Sequence, residues 1–167
     1  MRILKEKYDG LQEIDGLSEA LKTFLLKPNI QEALQNNDFN TLYKELPVDY
    51  ASYFTHLMSS LNIDPLKYLD YIPDLFLAYT TIRAINIPSH IKRIGRAAFL
   101  DCSHLEHITI PSSMMIIGDQ ALYFCTSLNY ITYGGTKDQW GKIKLGNGWN
   151  RKSPIKTIHC TDGDITL

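Results

Sequence analysis

The strongest regularity in the chain is a pattern of apolar and polar positions that recurs with a period of about 23 residues. Ile82–Pro88 aligns with Leu105–Pro111, and the same register continues to Ile94-Gly95 and Ile117-Gly118. A third copy begins at Leu128. A period of this length is typical of leucine-rich solenoids, in which each repeat forms one turn of a stack.

Each copy predicts a strand, a turn and a return path. Ile85 and Ile87 alternate with Ala84 and Asn86, which indicates a strand with one buried face, and Pro88 ends it. In the return path, glycine is predicted to supply a backbone geometry that other residues resist. Because stacked strands lie about 4.8 Å apart, the isoleucines at one position should form an internal ladder, consisting of Ile85, Ile108 and Ile131.

Helical spacing replaces this pattern in the N-terminal half. Apolar residues recur every three or four positions from Ser18 onward, with a break at Pro73. Helix N-caps are predicted at Asp38, Asp49 and Asp64, the last followed by proline. The apolar stripes are, in chain order, Leu17/Leu21/Phe24/Leu25, Ile30/Ala33/Leu34, Phe39/Leu42/Tyr43/Leu46, Tyr50/Phe54/Leu57/Met58/Leu61 and Leu66/Leu69/Ile72.

These patterns divide the chain into three parts. Residues 1–81 are predicted to form a helical unit, residues 82–133 the repeats, and residues 134–167 a C-terminal cap containing both tryptophans. The end of the helical unit, from about residue 66 to 81, is interpreted as a degenerate half-repeat, because an uncovered solenoid end exposes a strand edge. We expect a rigid junction near Thr80-Thr81, since no flexible linker separates the parts.

The half-repeat is aligned with the first repeat by a shift of one full period. This shift predicts three equivalences, in which Leu75, Phe76 and Tyr79 take the positions of Ala98, Phe99 and Cys102.

The repeat motifs closely resemble the BspA-like leucine-rich repeat family. The resemblance lies in Ile87-Pro88, Ile94-Gly95, Ala98-Phe99 and Cys102, repeated as Ile110-Pro111, Ile117-Gly118 and Cys125, and in the ending Tyr133–Thr136, Gln139-Trp140 and His159–Gly163. It implies an α+β protein in which a small helical unit caps a short right-handed solenoid with a parallel strand ladder. It also implies a scaffold that binds other macromolecules rather than a catalyst.

Many members of this family are large surface or adhesion proteins with signal sequences. This chain has about two full repeats, and its first seven residues contain no export signal. It is similar to short forms from phages and integrated elements. The sequence therefore predicts a protein that stays in the cytoplasm of a bacterial host.

Composition limits the classes of protein to which the chain can belong. A hydrophobic fraction of 44% with 21% charged residues is ordinary for a globular protein. No apolar run approaches the roughly 20 residues that cross a membrane, so no membrane partner is expected. Three cysteines provide no disulfide framework, which favours a reducing compartment.

Candidate chemistry is sparse. Cys102 and Cys125 occupy equivalent repeat positions, so they are interpreted as small core residues and not as zinc ligands. Cys160 with the adjacent His159 is only a weak candidate for a catalytic nucleophile with its general base. Asp162–Asp164 offers too few oxygen ligands to bind calcium. No nucleophile elbow or phosphate loop is present. We therefore predict no enzyme activity, no metal and no cofactor.

The charge distribution suggests a second kind of partner. Residues 1–81 carry 7 Lys and Arg against 12 Asp and Glu, whereas residues 82–167 carry 10 against 6. The basic half could bind phosphates of a nucleic acid, or simply be well solvated. The candidate phosphate contacts are Lys92, Arg93, Arg96, Lys142, Lys144, Arg151 and Lys152, with Lys137 and Lys156 nearby in the sequence.

The outward face of the predicted strands is the main candidate surface. Tyrosine and histidine make both polar and apolar contacts, and tyrosine is enriched at binding hot spots. An ordinary solvated sheet face is the alternative interpretation. The candidate partner-binding residues are Asn86, His107, Thr109, Tyr130 and Thr132.

Three functions remain open on the sequence. The first is a phage-encoded or mobile-element protein that docks on a host protein, for example as an inhibitor of a CRISPR effector. The second is a structural component of a virion, and the third is a nucleic-acid binder using the basic C-terminal half.

Overall fold

A helical region followed by a stack of short strands makes up the protein. The computed structural model describes residues 19–60 and 64–167. The predicted helix start at Ser18 and the stripe residues Leu17 and Leu61 lie outside these ranges. Within the described residues the helices are α1 (Glu19–Leu25), α2 (Pro28–Asn36), α3 (Phe39–Glu45), α4 (Ala51–Ser60) and α5 (Lys137–Trp140), with 3-10 turns at Val48–Tyr50 and Pro65–Lys67.

One predicted N-cap forms as expected. The Asp38 carboxylate accepts a hydrogen bond from the Thr41 amide at 3.1 Å, at the start of α3. Just before it, Asn37 ends α2 in the left-handed conformation, at φ 55°. Asparagine tolerates this conformation better than most residues, so the chain turns sharply between the two helices.

Two other predicted caps differ from expectation. Asp49 lies inside the 3-10 turn that leads into α4, and so it is not the helix N-cap. Asp64 does cap Leu66, with a 3.0 Å hydrogen bond, but only a 3-10 turn follows. The predicted helix cannot extend to Ile72, because Ile72 forms a parallel bridge with Ile94 in the first turn of the solenoid.

Two sheets line the solenoid core. The first sheet, called here the ladder, has the order β1-β3-β5-β7-β8, and the second, the return sheet, has the order β2-β4-β6. Their strands are β1 (Ala84–Asn86), β2 (Arg93–Ile94), β3 (His107–Ile110), β4 (Ile116–Ile117), β5 (Tyr130–Tyr133), β6 (Lys144–Leu145), β7 (Thr157–Cys160) and β8 (Gly163–Thr166).

The ladder has the parallel pairing that the repeat pattern predicts. Ile85 pairs with Ile108, and Ile131 pairs with Ile158, so the isoleucine ladder extends one strand further than expected. Strand β8 then runs antiparallel to β7, with Ile158 opposite Ile165. The α+β fold, a helical region followed by a short solenoid with a parallel ladder, is confirmed.

The segment predicted to be the half-repeat pairs with the first turn, but in a register that differs from the prediction by one residue. Ile72 pairs with Ile94, whereas the regular period would have placed Tyr71 opposite it. The Leu77 amide donates a hydrogen bond to the Ala98 carbonyl, and in the next turn the Phe99 amide donates the equivalent bond to the Ala121 carbonyl. The residues equivalent to Ala98, Phe99 and Cys102 are therefore Phe76, Leu77 and Thr80.

The repeat glycines have a different role from the one predicted. Gly95 and Gly118 do not have positive φ; of the described glycines, Gly148 and Gly163 do. A Cβ atom on Gly118 would lie 2.6 Å from the carbonyl carbon of Gly95, and one on Gly95 would lie 2.7 Å from the backbone nitrogen of Asp74. Close approach of successive turns, and not φ, requires glycine here.

One hydrophobic core runs from the helices to the last turn. Tyr43 of α3 packs against Phe76 of the half-repeat, with ring centroids 5.5 Å apart. At the other end Trp140 and Trp149 are buried, with centroids 6.1 Å apart. Among the described residues, no helix is long and apolar enough to cross a membrane.

Candidate functional site

The outward side chains of the ladder form two rows across the five strands. We call this surface the ladder face. Strand pairing fixes the register of both rows. The first row is Ala84, His107, Tyr130, Thr157 and Thr166, and the second is Asn86, Thr109, Thr132, His159 and Asp164.

An aromatic cluster lies at the centre of the ladder face. The Tyr130 hydroxyl lies 2.8 Å from Nδ1 of His107, and the Tyr130 ring packs edge-on against His159 with centroids 5.0 Å apart. His159 Nδ1 lies 2.8 Å from an Asp164 carboxylate oxygen. Each side chain is therefore held by its neighbour, and little side-chain entropy remains to be lost when a partner binds.

Charge is present at two places on this side of the molecule. Asp164 pairs with His159 when the imidazole is protonated, and Arg83 pairs with Glu106 at 2.9 Å beside the first strands. All four side chains are substantially exposed, so these pairs orient the side chains more than they stabilise the fold.

The structure places all five predicted partner-binding residues on the ladder face. His159 and Asp164 were missed, because the interval from Tyr130 to its partner Thr157 is longer than the regular repeat period. The alternation of Thr157, Ile158 and His159 is the signal that would have identified the additional strand. The role of the face in binding stays a prediction.

The seven candidate phosphate contacts do not form one patch. Four lie on or beside the return sheet, and this group consists of Lys92, Arg93, Lys142 and Lys144. Arg96 lies in a separate cleft with Asp74. Lys152 extends over the rings of Tyr123 and Phe124, at 5.7 and 5.2 Å from their centroids, and Arg151 precedes it in the chain.

The repeat cysteines are buried and hydrogen bonded. The thiol of Cys102 donates to the Leu77 carbonyl at 3.0 Å, and that of Cys125 donates to the Phe99 carbonyl at 3.1 Å. Burial raises the pKa of Cys102, and it raises that of Cys125 to about 12. Such thiols are not nucleophiles at neutral pH, because the thiolate is the reactive form.

The third cysteine is also not activated. Burial, followed by the nearby carboxylates Asp162 and Asp164, raises the pKa of the Cys160 thiol. His159 Nδ1 points to Asp164, not to Cys160. Within residues 19–60 and 64–167, no three His, Cys, Asp or Glu side chains are grouped so that they could hold a metal.

The fold and its repeat motifs correspond to a known family. The model of the BspA type leucine rich repeat region, in six copies, matches residues 50–145. The chain belongs to this family. BspA-type repeats are in general a non-enzymatic scaffold. The matched segment holds His107 and Tyr130 and ends before His159 and Asp164, so the ladder face extends beyond the family's own repeats.

A solved structure is also similar to part of this BspA-type chain. It is a leucine rich cell surface protein from Faecalibacterium prausnitzii A2-165, with 38% sequence identity and a TM-score of 0.43. The match covers 45% of this chain and 20% of that one, so this chain spans a small part of its length. No curated protein matches.

Proposed function

We propose that the protein is a non-enzymatic protein-binding module and that the ladder face is its docking surface. The observation that carries this proposal is the cluster of His107, Tyr130 and His159 in adjacent strands. Aromatic side chains supply large contact areas at low entropic cost, and the sheet beneath them is rigid. Leucine-rich repeats commonly act in protein–protein interaction, which agrees with this assignment.

The narrower proposal concerns the partner. We infer a host protein, such as a CRISPR effector or another bacterial defence protein, bound by a phage-encoded or mobile-element-encoded inhibitor. This inference depends on the likeness of the sequence to short forms of the family. Interaction with an effector can be tested by expressing the protein with a CRISPR system and measuring plasmid clearance.

Location inside the bacterial cell belongs to the same proposal. The similar protein from Faecalibacterium prausnitzii is named as a cell surface protein, which makes the external location the competing hypothesis. Fractionation of cells that express the native gene distinguishes the two. Recovery in the surface fraction would exclude a cytoplasmic effector as the partner while leaving the docking face in place.

The nucleic-acid alternative has less support. The candidate phosphate contacts are divided between separate surfaces, whereas a nucleic-acid strand is usually followed by a continuous basic groove with aromatic rings for stacking. Nothing specific favours a virion component.

The docking proposal predicts that changes on the ladder face weaken partner binding without unfolding the protein. The tagged chain is used to capture its protein partner, and the complex is quantified by calorimetry. Tyr130→Ala should weaken binding at least ten-fold, because it removes the centre of the cluster. Thr132→Arg, on the exposed second row, should have a similar effect by steric and charge mismatch.

The matched controls are Thr126→Arg and Tyr53→Ala, which change equivalent residue types away from the ladder face. Both should bind with the affinity of the parent protein. Full binding by Tyr130→Ala and Thr132→Arg, with weakened binding by either control, would show that another surface makes the contact.

A further inference from the structure

The return sheet carries an exposed strip of apolar side chains that the ladder face does not use. Met115 is 60% exposed and Ile116 is 38% exposed, and both line the same cleft. Leu145 is not part of this strip, because it occupies the core-facing position at which Ile94 and Ile117 are fully buried. It is exposed because β6 is the last strand of the return sheet, and no further turn covers it.

Lysine and arginine flank this strip on both sides. Arg93, Ile116 and Lys144 are in register on three successive strands, so the backbones of Arg93 and Lys144 lie roughly 10 Å apart with Ile116 between them. The backbone carbonyl of Lys92 accepts a hydrogen bond from the Met115 amide, so Lys92 lies beside the same strip. Lys142 and Lys144 line a cleft of about 290 Å³ whose wall includes Met115 and Ile116.

Among the described residues, no carboxylate lies within ion-pair distance of these cations. The ion pairs within residues 19–60 and 64–167 join Lys22 to Glu19, Arg83 to Glu106 and His159 to Asp164, and none includes Lys92, Arg93, Lys142 or Lys144. The guanidinium of Arg93 lies over the Tyr71 ring, at 5.4 Å from its centroid. The nearest acidic residue in sequence to Lys142 is Asp138, in α5.

We propose that the return sheet is a second docking surface, which binds an acidic segment of a partner protein that also carries apolar side chains. The apolar side chains of the segment cover Met115 and Ile116, while its carboxylates contact the flanking cations. Charge complementarity identifies the occupant, because an apolar strip flanked by cations fits a segment of mixed acidic and apolar composition.

A nucleic acid would fit this surface less well. Single strands bind by stacking bases on aromatic rings, whereas the exposed apolar side chains in the strip are aliphatic. The proposal does not depend on the ladder face, because the two surfaces belong to different sheets.

The proposal is tested with a displayed library of random twelve-residue peptides. The full chain is the bait, and peptides that also bind the variant with Lys142→Glu and Lys144→Glu are removed first. We expect enrichment of sequences that combine Asp or Glu with Leu, Ile, Met or Phe. Synthetic versions, measured by fluorescence anisotropy, should bind the double variant at least ten-fold more weakly, and raised salt should weaken their binding to the parent chain.

The matched control reverses two charges elsewhere. Arg151→Glu with Lys152→Glu should leave peptide affinity unchanged, as should Tyr130→Ala on the ladder face. Met115→Ser should weaken binding several-fold at constant charge, which separates the apolar contribution from the electrostatic one.

Three results would overturn the proposal. The first is no enrichment, or enrichment of peptides without excess acid. The second is tight binding of a single-stranded oligo-dT by the parent chain that is lost in the Lys142→Glu, Lys144→Glu variant, which would indicate a nucleic acid. The third is concentration-dependent self-association, measured by sedimentation, that Met115→Ser abolishes, which would indicate a second copy of the chain.

Discussion

Several residues at the corners of the solenoid adopt the left-handed backbone conformation, which is unfavourable for residues other than glycine. Tyr79, Asp101, Phe124 and Lys152 all have φ between 54° and 64°, and they occupy the same corner of successive turns. The left-handed conformation costs roughly 1–2 kcal/mol for residues other than glycine. The turn geometry, and not the residue type, sets φ at these positions.

Tyr79 provides a test, because its side chain gains little in return. It is 68% exposed, and Tyr79→Asn should raise the free energy of unfolding by about 0.5–1 kcal/mol. Urea denaturation measures this change. Tyr53→Asn is the matched control, since Tyr53 is 42% exposed on α4 at negative φ and should gain no stability. A destabilised Tyr79→Asn variant would show that the ring packs favourably.

The buried thiols should make the fold sensitive to alkali. The pKa of Cys125 is about 12 in the folded chain, against an unfolded value near 9. Between these values the unfolded state loses its thiol proton while the folded state keeps it, so stability falls as the pH rises. The stabilisation that the buried Cys125 thiol gives to the folded state is fully present below pH 9. Each pH unit above 9 lowers the free energy of unfolding by about 1.4 kcal/mol.

Cys125→Ala should therefore flatten the dependence of unfolding free energy on pH between 9 and 11 by about 1.4 kcal/mol per unit. Chemical denaturation at several pH values gives this slope. The control Thr126→Ala changes the exposed neighbouring residue and should leave the slope as it is. Equal slopes for the parent and Cys125→Ala would mean that the thiol ionises in the folded protein.

At the scale of the elements, glycine limits how closely the turns stack. Gly95, Gly118 and Gly146 each leave no room for a Cβ atom against the preceding turn. For Gly118 the obstructing atoms are the backbone carbon and oxygen of Gly95, at 2.6 and 2.7 Å, and backbone cannot move aside as a flexible side chain can. The return strands can therefore pack only where this position lacks a side chain.

Gly118→Ala should destabilise the protein by about 3 kcal/mol, which thermal denaturation will register as a large fall in Tm. Gly141→Ala is a matched control, because the nearest atoms to its added Cβ would lie at 3.6 Å, an ordinary contact. Similar melting temperatures for the two variants would show that the turns can separate to admit a methyl group.

At the scale of the whole molecule, the repeat pattern predicted the fold from local information. Alternation placed Ile85 and Ile108 in the ladder, and a shared position placed Cys102 and Cys125 in the core. The candidate site was predicted only in part. His159 and Asp164 join it through a strand whose spacing no longer follows the repeat period.

The remaining errors come from tertiary contacts that override local signals. Asp64 and the proline after it favour a helix, but pairing of Ile72 with Ile94 draws the chain into the solenoid. The glycine after Ile117 was predicted to supply an unusual backbone conformation. Glycine is required there because a neighbouring turn leaves no room for a Cβ atom, and the sequence pattern does not reveal that contact. Local propensity predicts which element can form, and packing determines where it ends.

The uneven spacing of the turns limits how this protein can change in length by duplication. The paired positions along the return path are Ile72, Ile94, Ile117 and Leu145, and the interval between neighbours lengthens at each step towards the C-terminus. Only a copy of the middle turn, from Ile94 to Ile117, would meet matching neighbours on both sides and add one rung of about 4.8 Å. A gene that gains or loses such a unit would lengthen or shorten both sheets by one rung without altering either end of the solenoid.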